Sequence, residues 1–336
     1  MERSAYRVDG RGGIERTREP LAEMRPRDVR LAVAAVSLNF RDVPFVRGGN
    51  GRPPAEGRVP CSDAVGQVEA IGSEVTRVRV GDRVSPTILP RWLDGPLSSA
   101  AFAAGFGSRD RDGVLADRLI VEEDALVHVP AYLSDAEAAT LPCAALTAWH
   151  TIVGLGAAQA GDTVAIETTG GVAVFALQFA LAQGLRPIVT SRSAEKLARA
   201  TALGAAHTID TTRTPAWHDE ALAFTGGAGA RLVVDMGLNG GLARSSAAAA
   251  FEGTVAIVGV VDGWSTTLEI GPVMNKNLRV RGVETGSRTM FERMNELLAV
   301  RALRPVIDRS VPFADADAAF ARLRESPFGK VVVSLS

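Results

Sequence analysis

Thr163-Val164-Ala165-Ile166-Glu167-Thr168-Thr169-Gly170-Gly171-Val172-Ala173 is a short apolar strand, a small-residue turn and the opening of a helix. Thr163–Glu167 has the length and β-branched content of a buried strand. Val172–Gln183 is apolar around most of its surface, as a buried helix is. The turn between them has a chemical use. Small residues let the backbone approach an anion at the helix N-terminus, where free N–H groups and the helix dipole attract phosphate. The dinucleotide fingerprint is G-x-G-x-x-G. Here Thr168 replaces its first glycine and Ala173 its third, while Gly170 stays in register with Gly171 beside it. Thr169, Gly170, Gly171 and Val172 are therefore the candidate phosphate-binding residues. Two glycines between a strand and a helix can also be an ordinary turn, so the surroundings decide.

The next strand is Pro187–Thr190, and it runs into Ser191, Arg192 and Ser193. NAD calls for an acidic residue here to bind the ribose hydroxyls, whereas a 2′-phosphate calls for a cation. Ser191, Arg192 and Lys196, one turn on, fit the second case. The expected cofactor is NADP, with NADPH preferred over NADH. Ser193 opens the helix Ala194–Leu203, which Gly204 closes. Ala230–Asp235 and Thr254–Val261 are two more apolar strands. Strands alternating with helices give an α/β class: a Rossmann doubly wound parallel sheet, covered on both faces.

Outward from this core the texture changes. Val29–Val36 and Val65–Ile71 read as strands, and another starts at Asp82–Val84. Val75–Asp82 alternates apolar and polar residues like a half-buried strand. The first third thus reads as an antiparallel β domain. Arg91–Gly113 has no period and reads as a long functional loop. Ser134 and Glu137 form a capping-box pattern. Met290–Val300 and Ala314–Arg324 read as helices and Lys330–Leu335 as a closing strand.

The 336 residues exceed the usual size of one domain. A net charge of −1 gives no reason to expect nucleic acid or an anionic membrane as partner. The lysines are Lys196, Lys276 and Lys330, so the place of each matters. Cys61 and Cys143 are the two cysteines, too few for a disulfide scaffold or a four-cysteine zinc site. No run approaches the ~18 apolar residues of a membrane span, and the N-terminus lacks an apolar signal region. A cytoplasmic location, no membrane and a small-molecule substrate are the expectations.

Several further segments resemble the medium-chain dehydrogenase/reductase superfamily. They are Ser37-Leu38-Asn39-Phe40-Arg41-Asp42, Val80-Gly81-Asp82-Arg83-Val84, Ala138 to Trp149, Gly170 to Ala180, Leu303 to Asp308 and Phe328-Gly329-Lys330-Val331-Val332. They occur in order along nearly the whole chain, and the branch they resemble is the zinc-free, quinone-oxidoreductase-like one. The resemblance implies a GroES-like β-barrel domain at 1–128, completed by 284–336, and a Rossmann NADP-binding domain at 129–283. It implies an active site between the domains, NAD(P)H-dependent hydride transfer and a homodimer. Thr147, Gly259, Val260, Val261 and Thr285 are the residues it places near the nicotinamide.

Zinc-dependent members bind their metal through Cys, His and Cys. The matching positions here are Asn39, Ser62 and Cys143, short of the three good ligands needed, so no metal is expected. Cys61, Asp63 and Cys143 are the only makeshift alternative. Without a Lewis acid, reduction of an activated C=C bond in an enone, enoyl thioester or quinone is favoured over alcohol oxidation. Asn39 and Asp42 are the candidate catalytic residues, Asn39 facing the substrate or nicotinamide oxygen and Asp42 ordering its loop. The family's tyrosines are missing: their positions match Pro44, Asn50 and a site near Thr211, and the tyrosines of this chain are Tyr6 and Tyr132. Two other readings therefore stay open, a zinc-independent alcohol or carbonyl oxidoreductase and a repurposed non-redox or ligand-binding member of the fold.

Overall fold

The computed structural model describes residues 1–49, 51–238 and 241–335. The chain forms two compact units, Met1–Leu146 with Thr285–Ser336, and Thr147–Glu284. Residues 129–146 belong with the first unit because the Ser134-capped turn Asp135–Ala138 packs on its strands. Asp135 is also held by Arg83 at 2.6 Å.

The first unit opens with an antiparallel hairpin, β1 (Glu2–Val8) and β2 (Ile14–Pro20). Arg3 and Arg7 clamp it onto Glu19 at 2.7 and 2.6 Å. β3 (Asp28–Leu38) is its central strand. It pairs antiparallel with β4 (Asp63–Ile71), which pairs with β5 (Arg83–Pro86). β6 (Arg118–Glu122) adds to β3, and β7 (Leu126–His128) to β5. Val29, Leu31, Val36 and Leu38 of β3 anchor the core.

The expected strand Val75–Asp82 does not form, and β5 begins at Arg83. Glu123 Oε2 accepts the N–H groups of Thr76 and Arg77, each at 2.8 Å, and Asp82 Oδ2 accepts that of Arg79 at 3.0 Å. Side chains thus occupy the donors a neighbouring strand would need. Its valines also share no face, since Val78 is buried and Val80 exposed.

The second unit holds β8 (Thr163–Ile166), β9 (Arg186–Ser191), β10 (His207–Asp210), β11 (Ala230–Asp235), β12 (Ala249–Ile257) and β13 (Arg279–Gly282). Their order is β10-β9-β8-β11-β12-β13, with every pair parallel. β8 and β11 are almost wholly buried, as strands covered on both faces are. The winding runs outward from β8 in one direction and from β11 in the other. The gap between their carboxyl ends is the topological switch point, where such sheets bind ligands. β12 stops at Ile257, so Gly259, Val260 and Val261 lie in the loop beyond it rather than in the strand. Gly259 packs against the end of β11, where a Cβ would fall 2.7 Å from the Met236 carbonyl.

The chain then returns to the first unit through the helix Arg288–Arg301, β14 (Ile307–Pro312), the helix Ala316–Arg324 and β15 (Lys330–Ser334). β15 lies parallel to β14 and antiparallel to β3, giving the order β14-β15-β3-β4-β5-β7. The architecture is a Rossmann sheet plus a GroES-like β domain. Among the described residues, no helix is long and apolar enough to cross a membrane.

Candidate functional site

In the second unit, the glycine turn delivers an open helix N-terminus. The helix Gly171–Ala182 starts after Gly170, and no side chain caps it. Gly170 has φ −75° and ψ −174°, ordinary extended backbone. A Cβ built on it meets nothing within 4 Å, so the space over the helix end is free. Thr168 adopts φ +69°. A β-branched residue rarely enters that region, so the turn keeps a glycine-like path without its glycine. Thr169 is buried beneath it.

Ser191 ends β9, and its hydroxyl accepts the Ser193 N–H at 3.2 Å. Ser193 caps the helix Ala194–Ala202 by accepting the Lys196 N–H at 3.4 Å. Arg192, which is exposed, and Lys196 thus sit together at the start of that helix. Val261 donates its N–H to Met236 at 3.1 Å, which ties the Gly259–Val261 loop to the end of β11. Thr147 is buried, and its carbonyl accepts the Thr151 hydroxyl at 2.8 Å.

Two acids at the switch point were missed by the sequence reading. Glu167 follows β8 and is 2% exposed; Asp235 closes β11 and is 1% exposed. Glu167 Oε2 accepts the Met236 N–H at 2.8 Å, and Asp235 Oδ1 accepts the Gly237 N–H at 2.7 Å. Burial, reinforced by Asp235 and Asp262, pushes the Glu167 carboxyl up to about 8. Burial also raises Asp235. The available signal was a carboxylate at the end of each of two mostly apolar strands.

In the first unit, Asn39 and Asp42 belong to a buried cluster around Lys330. The Asn39 N–H donates to Asp42 Oδ2 at 2.7 Å, which orders the loop between β3 and the helix Asp42–Arg47. Lys330 Nζ donates to Asn39 Oδ1 at 2.5 Å and to the Leu38 carbonyl at 2.6 Å, and lies 3.8 Å from Asp63 Oδ2. Asp63 accepts the Ser62 hydroxyl at 2.9 Å and the Cys143 N–H at 3.3 Å. Burial raises the Asp63 carboxyl, opposed by Lys330, Asn39 and Ser62. Burial likewise pushes Asp42 up to about 6, with Asp63 adding to it and Arg41, the Asn39 N–H and Lys330 opposing. Thr285 is also buried in this unit.

The positions matching the family's metal ligands hold an amide, a hydroxyl and a thiol. The first is already bound by an ammonium group, which would repel a metal cation. The makeshift set fares no better: Cys61 is fully buried, with its thiol pushed well above the ordinary range by burial. No three His, Cys, Asp or Glu side chains are grouped as a metal site among the described residues. Tyr6 donates to the carbonyls of Phe313 and Ala314, and Tyr132 to those of Leu298 and Leu303. Both hydroxyls therefore serve the backbone. Pro44 lies in the helix Asp42–Arg47, Thr211 donates its N–H to the Ser191 carbonyl at 3.0 Å, and Asn50 lies outside the described residues.

This architecture has known counterparts. A family model for zinc-binding dehydrogenases matches residues 171–300, and one for the GroES-like domain of alcohol dehydrogenases matches 25–131. A zinc-type alcohol dehydrogenase-like protein of Schizosaccharomyces pombe is 37% identical over 320 residues, spanning 93% of this chain and 92% of its own. A solved putative alcohol dehydrogenase from Sinorhizobium meliloti 1021 is 38% identical with a TM-score of 0.93, covering 99% of both chains. A quinone oxidoreductase of Pseudomonas aeruginosa is 34% identical over 190 residues, 56% of this chain and 52% of its own. The chain belongs to the medium-chain dehydrogenase/reductase superfamily. It is an oxidoreductase of that fold.

Proposed function

We propose that the protein is an NADPH-dependent, zinc-independent reductase of an activated C=C bond in an enone, enoyl thioester or quinone. The observation that carries this reading is the Lys330 ammonium on Asn39 Oδ1, where zinc-dependent relatives place a metal ligand. With its oxygen taken, the Asn39 amide has only N–H to offer a ligand. A donor suits the oxygen of an enolate that forms when the β-carbon is reduced. Lys330 fixes that orientation, and Asp42 holds the Asn39 backbone.

The uncapped helix and the free space at Gly170 fit a pyrophosphate. Arg192 and Lys196, together at the start of the helix Ala194–Ala202, support a contact to a 2′-phosphate. A reduced nicotinamide held there would supply the hydride; the balancing proton, to the α-carbon of an enone or enoyl thioester or to the oxygen of a quinone, would come from water, since both tyrosine hydroxyls donate to backbone carbonyls. A homodimer in the cytoplasm completes the proposal. The names of two relatives favour a second reading, a zinc-independent alcohol or carbonyl oxidoreductase.

The test is to follow NADPH consumption with a small quinone, an enone and a crotonyl thioester, alongside NADP⁺ reduction by alcohols and a zinc assay. Turnover of the C=C acceptors with substoichiometric zinc is expected. Stoichiometric zinc, or turnover of alcohols alone, overturns the proposal. Failure to bind either NADPH or NADH leaves a non-redox role.

A further inference from the structure

We infer that Glu167 is a positioning residue for the dinucleotide turn that works as a neutral acid, so that binding an anionic dinucleotide requires its carboxyl to hold a proton. This inference rests on the dinucleotide reading above and assigns it a pH dependence.

The geometry is that of a shared floor. Glu167 directly precedes Thr168–Gly170, the turn over which a pyrophosphate would lie. Its Oε2 reaches across the switch point to the Met236 N–H at the end of β11, so the same side chain braces both edges of the crevice. Val234 pairs with Ile166 and its carbonyl accepts the Glu167 N–H at 3.2 Å, so Asp235, the next residue of β11, stands beside Glu167 on the neighbouring strand, with its own oxygen on Gly237. The charged groups acting on Glu167 are Asp235 from β11, Asp262 from the loop after β12, and Arg244 from the helix Gly241–Ala248. Of these the two acids, led by Asp235, outweigh the cation, whose effect is the smallest. Two adjacent buried carboxyls do not both ionise readily, and a proton on one relieves the repulsion.

A pyrophosphate brings further negative charge to this place. An ionised Glu167 and a bound dinucleotide therefore oppose each other. By linkage, the ligand raises the proton affinity of Glu167, and a rise in pH weakens the ligand. With the carboxyl titrating at about 8 in the free protein, affinity should hold from about pH 6 to 7. It should then fall roughly tenfold per pH unit above about 8, the slope of one linked proton.

NADH is the probe, because it lacks a 2′-phosphate that would titrate. Its dissociation constant is measured from pH 6 to 9.5 in the wild type and in Glu167→Gln. Calorimetry at pH 8, in two buffers of different ionisation enthalpy, counts protons taken up by the wild type and needs no variant. The expected results are an alkaline loss of affinity and proton uptake in the wild type, with a flat profile in Glu167→Gln. No proton uptake in the wild type, or the same alkaline loss in Glu167→Gln, overturns the inference. If NADH binds too weakly to titrate, NADPH replaces it in both proteins, its 2′-phosphate being common to the two profiles; failure of both dinucleotides to bind the wild type at any pH overturns the dinucleotide reading with it.

Discussion

Replacing Gly170 by alanine adds one methyl group at the N-terminus of the helix Gly171–Ala182, in space that no other atom occupies within 4 Å. The backbone there already has angles that alanine adopts freely. Two stability effects then nearly cancel. Alanine is a poorer N-cap than glycine, at a cost of about 0.5–1 kcal/mol. It also has fewer unfolded conformations, a gain of about 0.4–1 kcal/mol. The variant should therefore melt within a few degrees of the wild type. Ligand binding should respond very differently. A methyl group holds a pyrophosphate away from the helix N–H groups, and hydrogen bonds to a charged partner contribute about 1.5–3 kcal/mol each. Losing one raises the dissociation constant roughly 10- to 100-fold. Thermal melting and titration with NADPH, on the same preparation, check both halves. Affinity unchanged within about twofold would show that no phosphate approaches Gly170. A collapse in melting temperature would show that the glycine serves the fold instead.

Lys330→Met keeps the aliphatic volume but leaves Asp63 buried without its cation. A loss of about 3–5 kcal/mol is expected in denaturant unfolding, and Asp63→Asn in the same background should restore part of it. Asp42 titrates at about 6 in the fold against 3.8 as its ordinary value. The folded chain thus keeps a proton that the unfolded chain releases, and the contribution of Asp42 to stability falls as pH rises from about 4 to 6, then levels off. Asp42→Asn should lack that slope, a difference on the order of 1–3 kcal/mol; equal slopes in both proteins would refute the assignment. Alanine at both Arg192 and Lys196 should weaken NADPH about tenfold or more while leaving NADH nearly unchanged, as the loss of contacts to one phosphate predicts. Equal losses would rule out a 2′-phosphate contact.

The Rossmann sheet was legible because its strands carry their own evidence. β8 and β11 carry runs of buried β-branched and apolar residues, and capping residues such as Ser193 act within one turn of themselves. Val75–Asp82 misled for the opposite reason. Its fate depends on Glu123, more than forty residues away, whose carboxylate claims two of its N–H groups. The hairpin β1–β2 was not read at all, since β2 is polar along most of its length and is held by ion pairs with Arg3 and Arg7. Asn39 and Asp42 were legible as a motif. Their partner was not, because Lys330 lies 291 positions from Asn39 and only the pairing of β15 with β3 brings them together. The scarcity of lysine and the Phe328–Val332 motif drew attention to Lys330, but neither pointed to Asn39 as its partner. Glu167 stood in plain view in the quoted strand, yet a strand-end acid acquires meaning only when a second one, Asp235, is known to lie beside it.

β15 has a consequence for the order in which a growing chain can assemble. Synthesis proceeds from the N-terminus, and domains tend to fold as units as they emerge. The unit Thr147–Glu284 is contiguous, so all of its strands are synthesised before Lys330 is made. The first unit begins earlier and finishes later. Until Lys330 arrives, the Ala35–Leu38 half of one edge of β3 has no partner, since β6 covers Asp28–Ala32 alone, and Asp63 and Asn39 have no ammonium between them. The nascent first unit therefore waits, incomplete and short of one positive charge, while the unit encoded in its middle can already be folded. A strand translated after the whole of that middle unit is the one that closes the candidate catalytic cluster.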